Sequence, residues 1–102
     1  MVTRTASTII ADSAAFSADE TRSADVGGYH TPAVCVALED LGGSANDTFT
    51  IEIVGVVGTY EVDSRELSAT GSFVVDVPQA EQVQLTSANG TTISAEVRNN
   101  PR

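Results

Sequence analysis

From residue 48 to 54 the chain alternates apolar and polar side chains one for one. Phe49, Ile51 and Ile53 fall on one side, and Thr48, Thr50 and Glu52 on the other. A period of two is the mark of a strand with one face in a core and one in water. The same period returns in 56–63, with Tyr60 and Val62 inward, and in 72–77, where Phe73, Val75 and Val77 oppose Asp76. It returns again in 82–86 with Val83 and Leu85, and in 91–98 with Ile93, Ala95 and Val97. Residues 3–10 and 20–26 read as two further strands, the second polar and suited to a sheet edge. Residues 33–39 break the alternation. The run Ala33-Val34-Cys35-Val36-Ala37-Leu38 is continuously apolar and fits a central strand covered on both faces.

Turn chemistry separates these runs about every ten residues. Gly27-Gly28 marks one turn, and 41–47, rich in Gly, Ser, Asn and Asp, marks another. Gly55 reads as a bulge or bend, 64–70 as a loop, and Pro78 ends the strand before it. Asn89-Gly90 is the strongest hairpin signal in the chain. Residues 12–22, rich in Ala and Ser, allow a turn of helix but carry no apolar stripe at helical spacing. Seven or eight short strands with these turns predict an all-β fold, a single antiparallel β-sandwich or jelly-roll-like domain. The expected division is an N-terminal arm and first strand over 1–16, the sandwich over 17–98, and a polar tail over 99–102.

Charge changes the picture of where such a domain works. The chain has fourteen acidic residues, five arginines and no lysine, a net charge of -9 on 102 residues. A basic patch for nucleic acid is missing. A surface this acidic repels itself at low ionic strength, and in molar salt screening shortens to about 3 Å. The expectation is a protein of salty water, from a haloarchaeon or its virus. Its melting temperature should fall on dilution below about 0.1 M salt, where screening reaches about 10 Å. A value flat from there to molar salt would remove this argument. Hydrophobic residues make up 41% of the chain, so the charge does not imply disorder. No apolar run has the length of a signal-peptide core or a membrane span, so no membrane partner and a cytoplasmic origin are expected.

Chemistry-bearing residues are sparse. Cys35 is the single cysteine, lies in the apolar run, and reads as a buried small hydrophobe. His30 is the single histidine and precedes Pro32 in a turn, so neither a Cys–His nor a Ser–His–Asp arrangement is supported. Asp40, Asp47, Asp63 and Asp76 lack calcium-loop spacing and read as a solvated acidic surface. Gly27-Gly28 and Gly42-Gly43 open no helix and are turns, not phosphate loops. Asn46-Asp47-Thr48 and Asn89-Gly90-Thr91 match the glycosylation acceptor pattern but read as turn chemistry. No enzyme, cofactor or metal is expected. Apolar residues at outward positions suggest a contact instead: Val54, Val57 and Val74, with Thr3, Thr5, Ile9 and Ile10 of the N-terminal segment, form the candidate oligomer or docking surface. That segment could add a strand to a neighbour's sheet edge.

One resemblance sharpens this. The stretch Gly71-Ser-Phe-Val-Val-Asp-Val-Pro78 is followed by Glu81-Gln-Val-Gln-Leu-Thr-Ser-Ala-Asn-Gly-Thr-Thr-Ile-Ser-Ala-Glu-Val-Arg98, and Asp25-Val-Gly-Gly-Tyr29 runs into the apolar strand. Over 24–98 this pattern resembles the small β-sandwich proteins carried on virions of tailed viruses: head-decoration, turret and tail-associated modules. The resemblance implies a structural virion protein of a haloarchaeal virus, assembled in the host cytoplasm. It would dock on the major capsid protein or other virion proteins as a homo-oligomer, a trimer or pentamer. A tail, baseplate or vertex location is the alternative within that family. The family's mid-domain DG-x-x-W segment is here Gly58-Thr-Tyr-Glu-Val-Asp63, without Trp. The other class of function is a cellular carbohydrate- or surface-binding module, for which Tyr29 and Tyr60 are the candidate aromatic platforms.

Overall fold

The computed structural model describes residues 6–99, and they contain eight strands and no helix. The strands are β1 (Ala6–Ala15), β2 (Glu20–Asp25), β3 (Pro32–Asp40), β4 (Asp47–Val54), β5 (Thr59–Leu67), β6 (Gly71–Asp76), β7 (Gln82–Ser87) and β8 (Thr92–Asn99). They form two four-stranded sheets in the orders β1-β8-β3-β6 and β2-β7-β4-β5, with every pair antiparallel. The pairs 4·5, 3·6, 2·7 and 1·8 are those of one long ribbon, folded at the β4–β5 turn and wound into two layers. This is the jelly-roll sandwich.

The alternation does what the pattern dictates. Phe49, Ile51, Val83 and Leu85 of one sheet meet Val34, Val36, Ile93 and Val97 of the other, all fully buried. Phe49 and Phe73 touch across the layers, with ring centroids 6.0 Å apart. β3 is central, as its apolar run predicts, although its outward positions Cys35 and Ala37 are only half-buried.

Several expectations are corrected. Residues 12–15 are strand, not helix, so the first strand runs to Ala15. β8 supplies the ladder that holds it, and two bulges, at Ile9/Ala11 and Ala11/Ala14, keep an irregular edge strand in register. Ser13 sits in the second bulge with φ of 46°. The segment expected to hold the arm and first strand is, from Ala6 onward, an edge strand of its own sheet. β5 continues through residues 64–67, where a loop was expected. Its core-side positions run Asp63, Arg65 and Leu67, the first two an ion pair of 2.9 Å, so Leu67 alone offers hydrophobicity to read. Arg65 also lies over the Phe73 ring at 5.4 Å, capping the open edge of the core.

The largest correction concerns Asn89-Gly90. It does not join hairpin neighbours; it carries the chain from β7 in one sheet to β8 in the other. The geometry there is set by Asp47, which is fully buried rather than part of a solvated surface. Ser87 Oγ and Thr91 Oγ1 donate to its Oδ2, the latter at 2.6 Å, and the Asn89 amide donates to Oδ1 at 2.9 Å. A buried carboxylate is tolerable because its lone pairs are satisfied.

Candidate functional site

In a ribbon of eight antiparallel strands, alternate turns land at the same end. Turns 16–19, 41–46, 68–70 and 88–91 share one end, and turns 26–31, 55–58 and 77–81 share the other. At this second end a groove of about 350 Å³ opens between the three loops. Gly27, Gly28 and Gly55 line it with bare backbone, Tyr29, His30, Gln79 and Glu81 with polar groups, and Val56 and Ala80 complete it.

Val26 and Val77 root the loops in the core, and hydrogen bonds fix their paths. Glu81 is the keystone: its amide donates to Val54 O and its carbonyl accepts from Val26 N, both at 2.9 Å. That ties β2, β4 and the 77–81 loop together while the Glu81 side chain stays exposed. Tyr29 N donates to Val26 O at 3.0 Å, closing the Gly27-Gly28 turn, in which Gly28 has φ of 92°. The amides of His30 and Thr31 both donate to Asn99 Oδ1 at 3.0 Å, which holds the loop to the end of β8. Gln79 Nε2 lies 3.3 Å from His30 Nδ1 and donates to His30 O at 3.4 Å. Two exposed planar polar groups thus share one wall.

A second concavity of about 350 Å³ lies on the outer face of the β1-β8-β3-β6 sheet. Its middle is a registered cross-strand row, Ile9–Glu96–Cys35–Val74. Ile9 and Val74 are 65% and 58% exposed, so two of the expected docking residues do share a surface. The others do not join them. Ile10 is the bulge residue and turns into the core, Val54 is half-buried on the opposite sheet, and Val57 stands exposed in the 55–58 turn. Thr3 and Thr5 lie outside the described residues. Cys35, in the trough floor, is half-buried. Burial pushes its thiol up, the Arg98 guanidinium opposes this, and Glu96 adds to it. A thiol raised in this way is poorly suited to nucleophilic work.

The aromatic platforms also separate. The Tyr29 ring packs against the core and its hydroxyl lies 2.9 Å from Thr8 Oγ1, so only part of it faces the groove. Tyr60 shares the inward face with Ile53, yet it is 51% exposed at the open β5 edge and does not line the groove. Among the described residues no three of His, Cys, Asp or Glu gather as a metal site. Asp40, Asp47, Asp63 and Asp76 are distributed over different strands and faces.

Sequence reasoning had singled out Tyr29, His30 and the Gly27-Gly28 pair but missed Gln79 and Glu81 as their neighbours. Parity was the available signal: the turns after the second, fourth and sixth strands must meet at one end of a jelly roll.

No protein-family model and no curated protein sequence matches the chain. Among solved structures it is similar to the CBM32 of AlyQ in complex with 4,5-unsaturated mannuronic acid, at a TM-score of 0.52 and 17% identity over 95% of each chain. Likeness at that identity carries the fold: the chain is a β-sandwich of the architecture used by that carbohydrate-binding module.

Proposed function

We propose that the protein is a non-catalytic binding module that takes a carbohydrate in the loop-end groove. The observation that carries this reading is the groove itself. It combines bare glycine backbone, which lets a ligand approach closely, with the converging polar groups of His30, Gln79 and Glu81. Small-ligand sites have this make-up: a concave, largely pre-formed seat with a few placed hydrogen-bonding groups. The fold shared with a carbohydrate-binding module supports the choice of ligand class.

The test is titration of isotope-labelled protein with a panel of oligosaccharides, read by amide shifts. Shifts should cluster on 27–30, 55–56 and 79–81. His30→Ala and Gln79→Ala should each weaken binding about tenfold, the size of one lost hydrogen bond. Shifts confined to Tyr60 or to the outer trough would remove the groove from consideration.

A second reading rests on Ile9 and Val74. Their exposed side chains, at the two rims of a trough whose floor is half-buried, suit docking against other virion proteins or further copies of the chain, as a structural component of a virus of salty habitats. Ile9→Asp with Val74→Asp should then abolish assembly on particles while leaving the fold intact. Unchanged incorporation would sink this reading.

A further inference from the structure

We infer that the loop-end groove selects neutral sugars and rejects uronates, the acidic class to which the ligand in the neighbouring CBM32 structure belongs. The inference rests on the carbohydrate reading and adds the charge of the ligand to it.

Recognition of a sugar carboxylate calls for a cation, most simply the fork of an arginine. Among the described residues the groove lining contains neither arginine nor lysine, and Glu81 is its one carboxylate. The chain has no lysine to supply a cation. Its described arginines are committed elsewhere, each to an acid two positions earlier on its own strand. Arg22 lies 2.6 Å from Glu20, Arg65 lies 2.9 Å from Asp63, and Arg98 lies 3.4 Å from Glu96. None of the three lines the groove. The strand ends around the groove add negative charge, with Asp25 opposite Gln82 on β7 and Asp76 at the end of β6.

Glu81 cannot simply swing its attachment point away. Its backbone is bonded on both sides, to Val54 and to Val26, so the carboxylate is carried on a fixed root between the three loops. A uronate entering beside it meets like charge, with no arginine or lysine among the described lining residues to pair with it, an arrangement that raises specificity by repulsion. A neutral sugar meets hydrogen-bonding partners without repulsion: an exposed carboxylate that accepts from hydroxyls, the Gln79 amide, the His30 ring and glycine peptide groups.

The experiment compares matched pairs that differ only at C6: mannose and mannuronate, galactose and galacturonate, glucose and glucuronate trisaccharides. Each is titrated into the full chain at low salt and again at 1 M NaCl. The expected result is that at least one neutral member binds, and that its acidic counterpart binds about tenfold more weakly or worse at low salt. The gap should narrow at 1 M salt, where screening shortens to about 3 Å. Glu81→Gln, which keeps both backbone bonds, should narrow the gap at low salt, and Glu81→Arg should favour the uronate. A uronate that binds as well as its neutral partner at low salt overturns the inference and leaves the carbohydrate reading standing. An unchanged gap in Glu81→Gln overturns the role given to Glu81. If no member of any pair binds, the carbohydrate reading itself falls, and this inference with it.

Discussion

The two ends of the sandwich solve opposite problems with similar loops. At the Asp47 end the turns 16–19 and 88–91 are tied to each other and to β4. Phe16 N donates to Thr91 O, Asp19 N to Ala88 O and Ala88 N to Thr48 O, at 3.0–3.2 Å, and Gly90 N donates to Ser87 Oγ at 3.1 Å. The hydrogen-bond capacity of this end is spent within the protein, around one buried carboxylate. At the other end the loops are held by backbone bonds through Glu81 and by the Asn99 side chain, with no buried carboxylate among them, and the side chains of His30, Gln79 and Glu81 stay outside. Val56 and Val57 there are 89% and 86% exposed. A sealed end stabilises the fold and leaves nothing to offer a ligand. An open end keeps its polar groups and bare backbone available.

The comparison breaks most directly at Asp47. Asp47→Ala strands the Ser87 and Thr91 hydroxyls and the Asn89 amide in a water-poor site. The expected loss is about 3–5 kcal/mol, since hydrogen bonds to a charged group are strong and their orphaned partners stay buried. For a domain of this size the melting temperature should fall on the order of 20 °C. Urea denaturation measures the loss. A cost below about 1 kcal/mol would mean that the sealed end does not hold the sandwich together.

Glycine replacements sharpen the same contrast. Gly90 has φ of 76°, and a Cβ there would lie 2.7 Å from both Ala18 N and Phe16 O. Gly90→Ala therefore adds a backbone clash to conformational strain, about 2–4 kcal/mol together. Gly28 has a similar φ of 92° but nothing within 4 Å of its Cβ position. Gly28→Ala should cost only the strain, about 1 kcal/mol, and should weaken sugar binding more than it weakens the fold. Equal stability losses in the two variants would show that the ends do not differ in tightness.

This contrast also explains what the sequence made legible. Alternation in 48–54, 72–77 and 91–98 specified which side chains face the core, because burial at a period of two leaves no other register. It could not show that Asn89-Gly90 crosses between sheets. A turn signal reports the local bend, while the partner of the next strand is chosen by distant contacts, here with Asp47 forty residues away in the chain. Residues 64–67 escaped because an edge strand that places a half-exposed Arg–Asp pair at its core-side positions carries no clear hydrophobic period. The groove was half legible: Tyr29, His30 and the glycines drew notice one by one. Gln79 and Glu81 looked like ordinary loop residues until the topology brought their turn to the same end.

Tyr29 stands between the two roles of the open end. Its hydroxyl is engaged with Thr8 on β1, and its ring forms part of the groove lining. Tyr29→Phe removes the bond and keeps the ring. Stability should fall by about 1 kcal/mol, and affinity for a neutral sugar should stay within about twofold, well under the effect of one lost hydrogen bond. Thermal unfolding and titration on the same sample check both. A large affinity loss with unchanged stability would move the hydroxyl from the scaffold to the ligand.

The smallest expected effect tests whether tightness at the Asp47 end extends to the surface. Glu39, near the end of β3, accepts from Ser94 Oγ at 2.5 Å and from Ser13 Oγ at 2.8 Å, spanning the three strands β1, β8 and β3. The Ser94 bond, and then the Ser13 bond, hold its carboxyl below the ordinary value of 4.5. A depressed folded-state value means that folding favours the ionised form. The contribution is present above 4.5, and it is lost as the pH falls through the depressed value. Ser94→Ala should return Glu39 toward 4.5 more than Ser13→Ala does, because the Ser94 bond is the larger cause. Carboxyl carbon shifts followed by NMR from pH 6 to pH 2 read this directly. If neither variant moves the midpoint, the surface clamp is not formed in solution, and the tightness of this end stops at its buried carboxylate.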